Sequence, residues 1–258
     1  PNLAEIFLFR KITPNRWESI VNSLFNIFSK FYLNNKSQNF LYDSSHLYSE
    51  KLNQRINIFN DLVENLDNNL LKEILDNGIK VNNNILPSLN ITKNKLQKEL
   101  QKIDKQRPLT FGHGDLCFNN ILIEPISGSI KLIDPKADSI GNNKIGYVDP
   151  FYDLAKLNHS FSCFYDSIVN NMFSISYIND QLELKIFKPF NYEVANFYFQ
   201  KIFLDNLIDK ELLRILTSNL FLSMVPLHKD DEQKMAAFLI IGISLFYDID
   251  VKNYILEL

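Results

Sequence analysis

The stretch that most limits what this chain can fold into is Phe111–Asn120, FGHGDLCFNN, together with the ILIEPISGSIKLIDPKA that follows it. Apolar runs flank the polar segment. Leu109–Phe111 precedes it and Ile121–Ile123 follows it, and both read as strands. Ser127-Gly128 is a turn signal, and Ile130–Ile133 reads as the return strand. His113, Asp115 and Asn120 thus fall in one loop braced between β elements, with Asp134 at the end of the next strand.

That layout suits phosphoryl transfer. One carboxylate accepts the proton of an attacking hydroxyl, while an Asn and a second Asp hold Mg²⁺ against phosphates. Carboxylate and amide oxygens are hard ligands of the kind Mg²⁺ takes. The five-residue separation of Asp115 and Asn120 lets a loop curl so that both face one site.

Composition narrows the remaining choices. The 258 residues are 46% hydrophobic and 22% charged, as in ordinary globular domains, and allow one large domain or two small ones. Net charge is -3 with no Lys/Arg-rich block, so a nucleic-acid partner has no electrostatic footprint. Cys117 and Cys163 lack metal-type spacing, and a reducing cytoplasmic setting is expected. The N-terminus lacks a basic region leading into an apolar run, so no signal peptide is expected. Met235–Tyr247 is the most apolar stretch, but its length of about 13 residues is too short for a bilayer span, and it reads as a buried core helix. None of the 7 glycines precedes Gly78, which excludes a Gly-rich phosphate loop near the N-terminus.

Along the chain, Glu5–Phe9 is predicted as a short strand or extended entry. Thr13-Pro14 is an N-cap followed by a first-turn Pro. The helix after it carries Trp17, Ile20, Val21, Leu24, Phe25, Phe28, Phe31 and Tyr32 at spacings of three and four, an aromatic stripe expected in the core, and Asn34-Asn35 ends it. A second helical region spans about His46–Asn77, with Asp67–Asn69 as an interruption and Gly78 as its C′ residue. Tyr48, Lys51 and Arg55 lie on adjacent turns there; a solvated flank is the simpler reading, with Arg55 kept as a candidate substrate contact. Asn82–Asn84 and Pro87 read as a loop, and Thr92–Asp104 as a third helix. Beyond the central unit, Lys136–Val148 reads as a loop. Asp149-Pro150 then opens a helix running towards Met172. Ser174–Ile178 and Leu182–Phe187 form a hairpin about Asn179-Asp180. The rest is helical: Tyr192–Leu207, Lys210–Met224 and Glu232–Tyr247. The expected class is α+β and mostly helical.

The motifs resemble one family. HGDLCFNN, from His113 to Asn120, resembles the H-G-D-x-x-x-x-N catalytic loop of the aminoglycoside phosphotransferase and choline kinase-like enzymes, which have a protein-kinase-like fold. Ile133-Asp134 is similar to their metal-binding Ile-Asp, and YVDPFYDLAKL, Tyr147–Leu157, resembles their G-D-P-x-Y-D-L-A segment. The three blocks occur in the right order across about 45 residues. The resemblance implies that Asp115 is the base, that Asn120 and Asp134 ligate Mg²⁺, that His113 braces the loop, and that Asp153 supports it from the following helix. It also implies ATP or GTP as donor and a sugar or amino alcohol as acceptor. Arg55, His159, Tyr165, Asp166 and His228 are the candidate acceptor contacts.

Two departures stand out. The family continues Ile-Asp with an aromatic and an acid, whereas Pro135 and Lys136 stand here. Lys136 is a candidate for balancing phosphate charge, or a surface residue. IDPK, together with SMVPLHKDD at Ser223–Asp231, resembles a branch tied to bacterial surface-polysaccharide (capsule) gene clusters. The second departure is the N-lobe that the resemblance implies, a β-sheet with a phosphate-covering loop and a Lys. The roughly 110 residues before the loop look mostly helical instead. Residues 1–258 are therefore expected to be a single kinase-like C-lobe, its N-lobe absent or supplied by another chain. The alternative is a non-catalytic kinase-like remnant or interaction module. A metal-dependent phosphoesterase using His113 and Asp115 lacks the further ligands that two-metal sites need.

Overall fold

A computed structural model describes residues 1–32, 41–66, 68–104, 107–136, 146–178, 181–205 and 209–256. The Asn34-Asn35 stop, the break at Asp67, the Asn179-Asp180 turn and most of the Lys136–Val148 loop lie outside the described residues.

In chain order, helices α1 (Leu3–Phe9) and α2 (Pro14–Tyr32) precede β1 (Leu41–Tyr42), α3 (Ser49–Asn65) and α4 (Asn69–Asp76). Then come β2 (Ile79–Val81), β3 (Asn84–Leu86) and α5 (Leu89–Ile103). The central part holds β4 (Arg107–Pro108), β5 (Thr110–Phe111), β6 (Ile121–Ile123), β7 (Ile130–Leu132) and β8 (Tyr147–Val148). It is followed by α6 (Pro150–Phe161), α7 (Tyr165–Val169), β9 (Phe173–Ile178) and β10 (Gln181–Phe187). Helices α8 (Tyr192–Phe199), α9 (Lys210–Met224) and α10 (Glu232–Phe246), then β11 (Ile255–Leu256), complete it. The class is α+β and mostly helical.

The chain divides into two compact units of three segments each. The first is Pro1–Tyr42, Gln106–Asp166 and Pro189–Leu213; the second is Asp43–Lys105, Ser167–Lys188 and Arg214–Leu258.

The first unit is organised by aromatic packing. Trp17 meets Phe7 edge-on, Phe7 meets Phe118, Phe118 meets Phe161, and Phe161 stacks on Phe199. Phe203 then touches Phe199, Phe25 and Phe28. Phe118 belongs to the central loop, so this chain of rings anchors that loop in the core. Glu5–Phe9 differs from the expected strand: it lies within α1. Asn2 caps this helix by accepting from the Glu5 N–H at 2.8 Å. At its other end the Asn191 amide donates to the carbonyls of Ile6, Phe7 and Arg10. Five of its seven residues are buried, so tertiary packing overrides the apolar run that reads locally as extended. β6 and β7 pair antiparallel, Ile121 opposite Leu132 and Ile123 opposite Ile130.

The second unit surrounds α10, whose residues Met235–Leu245 are all buried, as its uninterrupted apolar run predicts. At Gly242 the close approach of α9 leaves no room for a Cβ, which would lie 2.7 Å from Leu222 Cδ2. A five-stranded mixed sheet completes the unit. β10 pairs antiparallel with β9 along one edge, and parallel with β2 and β11 along the other. The expected loop at Asn82–Asn84 is instead the tip of the β2–β3 hairpin. Asn82 and Asn83 both take positive φ, 43° and 67°, which Asn tolerates. The Asn82 side-chain amide also mimics a strand residue: it donates to Leu184 O and accepts from Leu184 N–H, each at 2.8 Å.

The predicted long helices are divided. His46–Asn77 forms α3 and α4, divided at the expected interruption, whereas the helix opened by Asp149 stops at Phe161 before the short α7 instead of running towards Met172. Among the described residues no helix is long and apolar enough to cross a membrane.

Candidate active site

The site lies within the first unit, on the loop between β5 and β6. Gly114 takes φ +80°, a left-handed conformation that turns the chain sharply before Asp115. The loop is shaped from behind by α6. Asp149 caps that helix by accepting from Phe151 N–H at 2.9 Å and is itself held by the Arg107 guanidinium. One turn into α6, Asp153 accepts the backbone N–H groups of His113 (2.7 Å), Gly114 (3.1 Å) and Leu116 (3.3 Å). The side chain is fully buried, and its two oxygens satisfy donors that a curled loop cannot pair with itself.

His113 braces the same turn. Its Nε2 lies 2.9 Å from Ile133 O and its Nδ1 accepts from Asp115 N–H at 3.2 Å, which assigns the ring hydrogen to Nε2. The Asn120 side-chain NH₂ donates to Asp115 O at 2.8 Å. Asp134 takes φ +56°, which Asp tolerates, and the turn lets Lys136 N–H donate to His113 O at 2.7 Å. Pro135 has no N–H, so the clasp falls to the next residue.

The Asp115 carboxylate meets two ammonium groups. Lys136 Nζ is 3.0 Å from Oδ2 and Lys156 Nζ is 3.1 Å from Oδ1. Lys136 Nζ is also 3.4 Å from Asp134 Oδ2, so it spans the two carboxylates. Burial alone would raise the Asp115 pKa, but Lys156 and Lys136 outweigh it and hold the carboxyl down to about 2. Burial works to lower the Lys156 pKa, and Tyr152 and Asp115 more than reverse it. Sequence reading misses Lys156. The signal was its i+3 spacing from Asp153, which puts both on one face of α6, a rare place for a lysine between buried Ala155 and Leu157.

The remaining candidates are dispersed. His159 and Asp166, expected at the substrate surface, are enclosed by protein atoms. His159 stacks on Tyr165 with ring centroids 4.1 Å apart and sits 3.0 Å from Ser160 Oγ. Burial, then Lys156, keeps its pKa well below the usual range. Burial raises Asp166 to about 7, against a hydrogen bond from Ser160. Tyr165 is half-buried, its phenol pushed up to about 12 by burial. Arg55 on α3 and His228, whose ring lies 4.7 Å from that of Phe238, belong to the second unit.

Asn120 and Asp134 carry side-chain oxygens of the kind that hold a hard cation. Among the described residues there is no group of three or more His, Cys, Asp or Glu that could hold a metal ion. Mg²⁺ fits the smaller set, because it commonly takes one or two protein ligands and completes its shell with water and phosphate oxygens.

No protein-family model matches the chain, and no curated protein matches it. Among solved structures, it is similar to the aminoglycoside-3′-phosphotransferase of type VIII, at 15% identity and a TM-score of 0.39, over 80% of this chain and 61% of that one. It is also similar to choline kinase from Cryptosporidium parvum Iowa II, at 12% identity and a TM-score of 0.36, over 96% of this chain and 67% of that one. The chain therefore spans about three-fifths of the length of the first of these.

Proposed function

We propose that this chain is the kinase-like C-lobe of an Mg²⁺-dependent phosphotransferase. It moves the γ-phosphoryl group of ATP or GTP to a hydroxyl of a small molecule. The observation that carries the reading is the Asp115 carboxylate, presented by a loop that Asp153, His113 and Asn120 hold from three sides.

In the step itself, a lone pair of the acceptor oxygen forms the new bond to the γ-phosphorus. The bond from that phosphorus to the nucleoside diphosphate breaks, and its electron pair leaves with the diphosphate. The acceptor proton passes to Asp115 and on to water. A carboxyl near pKa 2 is a weak base, but a loose transition state needs the hydroxyl proton oriented more than removed. Lys156 and Lys136 fix the carboxylate rotamer that does this, and the exposed Lys136 would offer its ammonium to the transferring phosphate oxygens. Asn120 and Asp134 would hold Mg²⁺, whose charge offsets that of the phosphates when bound.

Residues 1–258 are read as one such lobe, with the phosphate-covering N-lobe supplied from outside it and a cytoplasmic setting. A role in capsule or surface-polysaccharide biosynthesis rests on IDPK and SMVPLHKDD. Replacing Asp115 with Asn tests the function: nucleotide- and Mg²⁺-dependent phosphorylation should be abolished with the thermal unfolding curve unchanged. Full activity in that variant would remove Asp115 from its role.

One observation favours a second reading, a non-catalytic kinase-like module. Asp115 is neutralised by two lysines. That module would show no turnover with any acceptor, and Asp115→Asn would leave its binding properties unchanged.

A further inference from the structure

We propose that the acceptor carries no ammonium group, so that the site takes a sugar or sugar phosphate hydroxyl, and that Lys156 with Lys136 enforces this choice. The inference rests on the phosphotransferase reading and selects within it between sugars and amino alcohols.

The charges around the reacting hydroxyl discriminate between the two. An acceptor amine needs a carboxylate that is not already engaged. Among the described residues of the first unit around the loop, Asp149 is committed to Arg107 and to the first turn of α6. Asp153 is committed to three backbone N–H groups. Asp115 is shared by two lysines, and Asp134 lies 3.4 Å from one of them. Asp166 is only 1% exposed.

The cations are placed differently. The Lys156 side chain is 12% exposed, rooted in α6, with its ammonium 3.1 Å from the carboxylate that must orient the acceptor hydroxyl. A compact amino alcohol bound for transfer would bring its own ammonium to within a few ångströms of Lys156, and two like charges at that range repel. Hydroxyl and phosphate oxygens have the opposite preference, since both accept hydrogen bonds from a lysine.

The test offers the full chain hexoses, hexose phosphates, choline, ethanolamine and an aminoglycoside. Binding of each is measured by calorimetry, and ADP release is measured with Mg²⁺ and millimolar ATP, a concentration at which weak nucleotide binding by this lobe does not mask turnover. Sugars or sugar phosphates should bind and turn over, with kcat/KM for the ammonium compounds lower by about 100-fold. Lys156→Met should narrow that gap at least tenfold, chiefly through a lower KM for the ammonium compounds, and Lys156→Arg should keep it. The exposed Lys136→Ala is a second variant with the same expected direction should Lys156→Met fail to fold. Turnover of choline, ethanolamine or the aminoglycoside at or above the sugar rate overturns the inference and leaves the phosphotransferase reading standing. Sugar binding without ADP release keeps the charge selection and overturns that reading. Absence of binding by every acceptor overturns the inference.

Discussion

At Asp153 one carboxylate takes the place of three water contacts, for the N–H groups of residues 113, 114 and 116. Asp153→Ala would leave these donors without their acceptor in a buried setting, where each unsatisfied group costs about 1–3 kcal/mol. We expect a stability loss of about 3 kcal/mol or more in urea unfolding, with phosphotransferase activity lost in the same variant. Asp166 makes a pH-dependent contribution. Its folded pKa, raised by burial to about 7, lies above the unfolded carboxylate value. The stability it contributes is therefore fully present below about pH 4, falls as pH rises towards 7 and levels off above it. Unfolding free energies from pH 4 to 8 should show that decline, on the order of a few kcal/mol, and Asp166→Asn should flatten it. At this scale much of the loop was legible, because an HGD turn, an Asn five residues on and a strand-ending Asp are local signals. Lys156 was not: its partner Asp115 is 41 residues away in sequence, and only the packing of α6 brings the two together.

Among the elements, the loop depends on Phe118, a fully buried ring between Phe7 and Phe161. Phe118→Ala should cost about 3–5 kcal/mol by leaving a cavity between α1, the loop and α6. Thermal melting would read this as a lower Tm, and a loss under 1 kcal/mol would show that the ring does not anchor the loop. Helices with a Pro-opened first turn and clear periodicity were readable: Pro14 opens α2 and Asp149-Pro150 opens α6. The helix α1 and the hairpin β2–β3 were not. The first is stabilised by Asn191, 185 residues from Ile6, and the second by β10 through Asn82. Periodicity reports only the near neighbours of a residue, and these elements owe their state to distant ones.

For the whole molecule, each unit is assembled from three separated segments. The aromatic core of the first draws Phe7 and Trp17 from one, Phe118 and Phe161 from the next, and Phe199 and Phe203 from the last. A fragment of residues 1–166 would lack the last pair, so it should show no cooperative thermal transition by circular dichroism. A cooperative melt like that of the full chain would refute this. The proposed external N-lobe makes a second claim at this scale: calorimetry of this chain with ATP and Mg²⁺ should give binding weaker than micromolar. The sequence by itself determined the helical faces, the caps, the α+β class and the chemistry available on the loop, because these depend on residues a few positions apart. The tertiary structure alone decided that two lysines close on Asp115 and that His159 and Asp166 are enclosed. Burial and ion pairing are set by segments that meet only when the chain has folded.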